Sequence, residues 1–369
     1  MRFVAEQPIL ARALQTASRI VSPQNTLPAL AGVLVQAADD YVRISATDLT
    51  SLIETRVSAN VETPGSVVIP AQTFADLIQR IPTADVRIEA DEQRGQITVH
   101  YGRNRANLQG MAAQDMPTFP SQDTAQGDFN LAPGVLPRLA RQTLFACARD
   151  ESRPILKGVH MALGDGKVVM VSTDGTRLSQ AWAAVPDLRG DPVSFVVAAK
   201  GLQEAARLAG SEAVVVTVGP KQIRFAGEAG ALTTLLLEGR FPDYQRVLPD
   251  GFVVEATVDT AQFRGAIERV NLIIHHDHAA AIRVKHQPGV LELSSEAMDV
   301  GRAYEMVEVM STGAEIELSF NPSLLLDGVK SMESEEMVLE FSGLQSPARL
   351  REKDSSHYFH IVLPLRQLV

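Results

Sequence analysis

Residues 167–178 read KVVMVSTDGTRL, a strand-like run that stops at Ser172-Thr173-Asp174. A small or hydroxyl residue, a hydroxyl residue and an acid close two further strands, at Ala46-Thr47-Asp48 and at Ser294-Ser295-Glu296. The steps between the three markers are 126 and 122 residues. Upstream of each marker, a short alternating strand runs into an amphipathic helix: Arg2–Ala5 into Pro8–Val21, Asp128–Leu131 into Pro133–Arg149, and Val253–Val258 into Asp259–Ile274. Downstream, a strand leads into a second helix: Ser66–Ile69 into Ala71–Ile81, Ser194–Val197 into Ala199–Ala209, and Ile316–Phe320 into Pro322–Met332. Asp76, Glu204 and Asp327 stand at matching places in these second helices. Recurrence in register is the mark of a repeat architecture.

Each repeat therefore reads as helix, strands, helix, strands. Val33–Gln36, Val42–Ser45, Leu52–Val57, Val86–Glu89 and Gln96–His100 alternate, which indicates antiparallel sheets with one covered face. The expected fold class is α+β, three repeated domains with two helices each, packed on antiparallel sheets. Met116–Gly127 and Phe241–Gly251 carry the prolines of linkers. The expected domains are 1–120, 128–246 and 247–369. A chain of 369 residues agrees with two or more cores.

Composition narrows the function classes. Hydrophobic residues make up 45% and charged residues 21%, which excludes a disordered or collagen-like chain. No apolar stretch is long enough for a transmembrane helix, and MRFVAEQP turns polar too soon for a signal peptide. Cys147 is the single cysteine, so an intrachain disulfide and a Cys-rich metal site are excluded, and a reducing cytoplasm is expected.

The net charge of −10 argues against a protein that holds nucleic acid by contact. That charge is unevenly spread. The six expected helices sum to +6, leaving −16 for the remainder. Arg12 and Arg19 lie opposite Leu10, Leu14, Ala17 and Val21 on the first helix. On Pro133–Arg149, the residues Arg138, Arg141, Gln142 and Arg149 share an arc of about 100° opposite Leu136, Ala140, Thr143 and Cys147. Helices that cover a sheet with one face and show a basic face elsewhere suit a polyanion backbone. An acidic protein with basic helices suggests a ring or channel with DNA inside.

Four short motifs, in order, carry a family resemblance: Thr26-Leu27-Pro28, Thr173-Asp174-Gly175-Thr176-Arg177-Leu178, Gly239-Arg240-Phe241-Pro242-Asp243-Tyr244 and Leu363-Pro364-Leu365-Arg366. The chain resembles, over its whole length, the bacterial sliding clamp, the β subunit of the replicative DNA polymerase III. The resemblance implies a processivity factor with no catalysis and no cofactor of its own. It implies a head-to-tail homodimeric ring around double-stranded DNA without sequence preference, opened by an ATP-driven clamp loader. The partners implied are the replicative polymerase and other polymerases and repair proteins that insert a Gln-Leu-x-Leu-Phe-type segment.

The family's peptide pocket maps onto Leu156, Thr173, Gly175, Arg177, Leu178, Pro242, Val247, Ile361, Leu363, Pro364 and Leu365, with Arg153 and Arg366 at the rim. An apolar cleft of this kind takes Leu and Phe anchors. The segment after Tyr358 is expected to serve the pocket without supporting the assembly. The resemblance implies DNA contact at Arg12, Arg103, Arg105, Lys200 and Arg246, and the basic helical face adds Arg138, Arg141 and Arg149. Gln24, Asn25 and Gln72 stand where the family often has basic residues. The dimer edge maps onto Arg103–Leu108, facing Leu272, Ile273 and Glu296–Glu305 of the partner, with Ala106 in place of a common aromatic.

Two other readings compete. His275, His276, Asp277 and His278 suggest a metal-dependent enzyme, but neighbouring His residues at a helix end diverge and no distant acid motif joins them. Gly164-Asp165-Gly166-Lys167 lacks P-loop spacing. A DNA-contact regulator needs a helix-turn-helix or an arm, and neither is present.

Overall fold

Among the described residues every strand pairing is antiparallel, in two nine-stranded sheets and two smaller ones. The computed structural model describes residues 1–21, 27–82, 84–120, 127–188, 192–274 and 281–365. Thr26, Gln24, Asn25, the His275–His278 run and Arg366–Val369 lie outside the described residues.

The chain forms two compact lobes. The first comprises Met1–Pro137, Asp187–Gly190 and Lys200–Leu236, and the second Arg138–Pro186, Asp191–Ala199 and Leu237–Val369. In the first lobe, Ser51–Ser58 pairs with Gly230–Leu235, with Ser51 opposite Thr234. In the second, Arg177–Ala184 pairs with Tyr358–Val362, with Arg177 opposite Val362. Each lobe thus builds its nine-stranded sheet from two sequence-distant segments, joined at the strand that follows a Thr-Asp turn.

Six helices are present among the described residues: α1 Gln7–Ser18, α2 Ala71–Arg80, α3 Val135–Thr143, α4 Ala199–Ala209, α5 Thr260–Ile274 and α6 Pro322–Lys330. Their starts follow the sequence pattern. Pro8 sits in the first turn of α1, where a missing N–H costs nothing, and Leu10, Ala13, Leu14 and Ala17 form its buried stripe. Asn321 caps α6 by accepting from the Ser323 N–H at 2.9 Å. Phe263, Ala266, Ile267 and Val270 of α5 enter a core with Leu293, Phe320, Phe341 and Leu350. Full burial of a side chain such as Phe263 stabilises by roughly 2–3 kcal/mol.

Three expectations are corrected. Helix 133–149 ends at Thr143, and Leu144–Ala146 is a 3-10 turn, so Arg149 is not on a helix. The cause is remote in sequence. Ser179 Oγ donates to the Gln142 carbonyl at 2.6 Å, and Ser172 Oγ donates to the Thr143 carbonyl. Those hydroxyls satisfy the carbonyls that a longer helix would have used. Second, Phe241–Gly251 is not a free connection: Phe241 is buried, and Tyr244–Val247 is a 3-10 turn whose flanks pack on the sheet. Third, Phe359–Val362 belongs to an inner strand between Arg177–Ala184 and Ala348–Glu352, so the segment after Tyr358 supports the fold.

Candidate functional site: an apolar sheet face beside a Thr-Asp turn

The marker Ser172-Thr173-Asp174 is a turn. Thr173 Oγ1 donates to the Arg177 carbonyl at 2.6 Å and accepts from the Gly175 N–H at 3.0 Å. Asp174 Oδ1 accepts from the Thr176 N–H, the Thr176 hydroxyl and the Arg177 N–H. Gly175 holds φ +92°, a conformation open to glycine at little cost. The turn is pinned from beneath by Arg177. Its Nε donates to Asp174 at 2.9 Å, Nη1 to Asp327 of α6 at 2.6 Å and Nη2 to the Phe145 carbonyl. Its guanidinium also lies over the Phe145 ring.

Beside this turn, Leu156, Val171, Leu178, Val196, Phe241 and Ile361 form one buried apolar cluster, and Ile155, Tyr244, Leu248 and Phe359 pack against it. Leu178 and Ile361 are paired across adjacent strands. Val247 is 53% exposed, and Leu363 and Leu365 are each 40% exposed, the Leu365 N–H donating to the Ser319 carbonyl at 2.7 Å. The Leu363 N–H donates to the Thr176 carbonyl at 3.0 Å, which seats Leu363 at the turn. Arg153 Nη2 donates to the Asp174 carbonyl at 2.7 Å, so its guanidinium lies against Gly175. Pro242 is exposed next to buried Phe241, and Pro364 is half-buried. Leu156, Thr173, Gly175, Arg177, Leu178, Ile361 and Leu363 are therefore brought together, with Arg153 over the turn.

The sequence reading missed the underlayer. His160 stacks on Phe241 at 5.1 Å and leans on Tyr244 at 6.1 Å. Burial pushes the His160 imidazole below its usual range, and its Nδ1 has no partner among the described residues. Phe241 and Tyr244 lay inside a quoted motif, and an aromatic pair around Pro242-Asp243 was the available signal. Below the turn, burial pushes the Cys147 thiol up to about 12 and the His360 imidazole down to about 3.

The basic residues scatter more than the helical wheel implied. Arg12 and Arg19 are exposed over a cleft between α1 and α2, with Gln15, Gln72, Asp76 and Gln79. Gln72 donates to Asp76 there. Thr143 is buried, as expected of the face opposite the arc, but Gln142 is buried as well, so of the arc on α3 only Arg141 is exposed. Arg138 turns inward, donating to Gln142 Oε1 at 3.2 Å and to the Trp182 carbonyl at 3.5 Å. Arg141 pairs with Glu333. Arg149 is exposed beyond the helix. Lys200 donates to Asp48 at 2.6 Å, and Arg246 to Asp243 at 2.8 Å. Burial pushes Asp48 up, but hydrogen bonds from Lys200, Thr50 and Ser51 outweigh it and hold the carboxyl below its usual range.

Two free sheet edges hold the remaining expected residues. Asn104–Gln109 is the outer strand of the five-stranded sheet in the first lobe, with exposed Arg105 and half-buried Leu108; exposed Arg103 lies in the turn before it. Gly301–Glu308 is the outer strand of the four-stranded sheet in the second lobe, and its Tyr304 and Met306 are exposed. Leu272 on α5 is also exposed, whereas Ile273 packs against the core. Among the described residues no group of three or more His, Cys, Asp or Glu could hold a metal, and no helix is long and apolar enough to cross a membrane.

Comparison with known proteins covers the chain in three consecutive pieces. Family models match residues 1–120 (DNA polymerase III beta subunit, N-terminal domain), 130–243 (central domain) and 245–366 (C-terminal domain). The chain is 31% identical to the beta sliding clamp of Caulobacter vibrioides over 99% of its own length and 100% of that protein. It superposes on the DNA polymerase sliding clamp of Bacillus subtilis with a TM-score of 0.95 at 26% identity, covering 100% of this chain and 99% of that one. It superposes on the DNA polymerase III subunit beta of Pseudomonas aeruginosa with a TM-score of 0.94 at 29% identity, covering 99% and 100%.

Proposed function

The chain belongs to the DNA polymerase III beta subunit family, the beta sliding clamps, and from that premise we propose how its surfaces perform the clamp's work. It is an accessory processivity factor, not a catalytic subunit. Two copies close head to tail into a ring around duplex DNA. The edge Asn104–Gln109 of one copy, with Arg103 and Leu108, meets Gly301–Glu308, Leu272 and Ile273 of the other. The three repeats, 1–120, 128–246 and 247–369, are the domains of that ring.

DNA is held by enclosure. Arg12, Arg103, Arg105, Arg141, Arg149, Lys200 and Arg246 need only weak, sequence-independent contact with phosphate. Lys200, Arg141 and Arg246 already have acidic partners, which suits sliding better than tight binding. The acidic remainder of the chain repels DNA from the outside. Polymerases, the ATP-driven loader and repair proteins dock a Gln-Leu-x-Leu-Phe-type segment on the apolar face, with Leu156, Leu178 and Ile361 as floor and Val247, Leu363 and Leu365 as rim. The protein works in the bacterial cytoplasm, at the nucleoid during replication.

The observation that carries this reading is the tiling of the chain by three family domains in order, over lobes built alike around a Thr-Asp turn. The test is retention on DNA of two topologies. The protein is loaded onto nicked circular plasmid with a bacterial clamp loader and ATP, and half the sample is linearised. Release from linear but not circular DNA is expected. Equal retention on both would overturn the ring.

A further inference from the structure

The apolar floor does not end at Ile361. The next strand places Arg349 directly opposite Ile361, and the strand after that places Glu340 opposite Arg349. Leu178, Ile361, Arg349 and Glu340 therefore form one row across one face of the sheet. Glu255 follows Glu340 in that row, so the arginine stands between the floor and the acids.

Arg349 is prepared for a ligand in three respects. Its guanidinium stacks on Phe252 at 4.3 Å, and Phe252 continues the Phe241–Gly251 segment that walls the apolar face. Its Nε is held by Glu340, a side chain 2% exposed that also binds Arg351. Its two Nη groups have no partner among the described residues. Arg351 differs: its Nη1 donates to the carbonyls of Glu352 and Lys353. A fixed planar fork with open donors, 28% exposed at the border of an apolar floor, matches one ligand group, a carboxylate.

Resting on the peptide-docking reading, we infer that Arg349 reads an acidic side chain in the partner peptide, beside its Leu and Phe anchors. The floor supplies the burial, and Arg349 selects among partners by the charge that flanks the motif. This extends the site by one strand beyond the residues that frame the turn.

The test uses the full chain and three synthetic fluorescent peptides sharing a Gln-Leu-x-Leu-Phe core. One carries a Glu just before the core, one carries a Glu just after it, and the third has Gln at both places. Fluorescence anisotropy gives their affinities at low and high salt. One Glu peptide is expected to bind more tightly than the Gln peptide, on the order of fivefold, an advantage that added salt erodes. In Arg349→Gln that ratio is expected to fall to about one. Equal affinity of all three peptides for the unaltered protein would overturn the inference and leave the apolar site standing. No binding of any of them would overturn the docking reading and the inference with it. An advantage that persists undiminished in Arg349→Gln, with Arg153→Gln measured beside it, would also overturn the inference.

Discussion

The turns at Thr47–Ser51 and Thr173–Arg177 are the same object built twice, and they differ in what surrounds them. In both, the Thr Oγ1 donates to the carbonyl four residues on and accepts from the N–H two residues on. In both, the Asp Oδ1 accepts from the next Thr and from the residue after it. The Leu235 N–H bonds the Thr50 carbonyl as the Leu363 N–H bonds that of Thr176. Yet Leu49 holds φ +72° where the second lobe has Gly175, and Leu27 stands where it has Arg153. Ser45 and Thr233, buried and polar, occupy the positions of Val171 and Ile361. The ion pair is reversed as well: Asp48 of the first turn meets Lys200, whereas Arg177 of the second meets Asp327. Backbone hydrogen bonding kept the turn in both lobes. An apolar floor and a glycine corner covered by the Arg153 guanidinium distinguish the second, which is why we propose partner docking there.

The sharpest way to break this comparison is to remove the ion that pins one turn. Arg177→Ala leaves Asp174 and Asp327 unpaired and a carbonyl unsatisfied, and is expected to destabilise the second lobe by about 3 kcal/mol in denaturant titration. Ser51→Ala removes only the hydroxyl bond to Thr234 and should cost about 1 kcal/mol. Equal losses would show that Arg177 has no special role.

Acid should separate the lobes next. His360 is buried in the second lobe, with a folded pKa of about 3, below its unfolded value. The unfolded chain therefore binds the extra proton between those values. The stability is fully present above about pH 6.5 and is lost as pH falls toward 3, amounting to about 2 kcal/mol by pH 5. Melting followed at Trp182, in the second lobe, should shift to lower temperature from pH 7 to pH 5. His360→Gln should flatten that shift.

Truncation after Val362 sharpens the functional side. It keeps the inner strand and removes Leu363, Pro364 and Leu365. Peptide affinity is expected to fall by about 2 kcal/mol, roughly 30-fold, with little change in melting. Truncation after Tyr358 is expected to unfold the second lobe instead. The smallest effect is a swap of corners. Leu49→Gly relieves a left-handed leucine and should stabilise the first lobe by up to about 1 kcal/mol, while Gly175→Leu should cost about that much and weaken peptide binding.

Much of this was legible in the sequence because it is local. Helix starts, strand alternation and the three markers depend on neighbours within a turn or two of the chain. The end of α3 was not legible, since Ser172 and Ser179 close it from another strand. The inward turn of Arg138 was hidden likewise, because its acceptor is the carbonyl of Trp182. Leu156, Leu178 and Ile361 came as a set from the family resemblance, and the structure packs them in one cluster. Phe241, His160 and Arg349 were missed, because only strand register and the fold of Phe241–Gly251 bring them to that face.

The ladder from Arg177–Val362 to Ala181–Tyr358 has one more consequence. Drawn as a graph, the second lobe joins its halves by a covalent route, which returns from the first lobe through residues 237–253, and by a non-covalent one, this ladder with the Arg177–Asp327 and Arg141–Glu333 pairs. Peptide connectivity there is redundant. A protease nick after Val247 would sever one route and leave the other, so the protein should survive as two fragments that purify together.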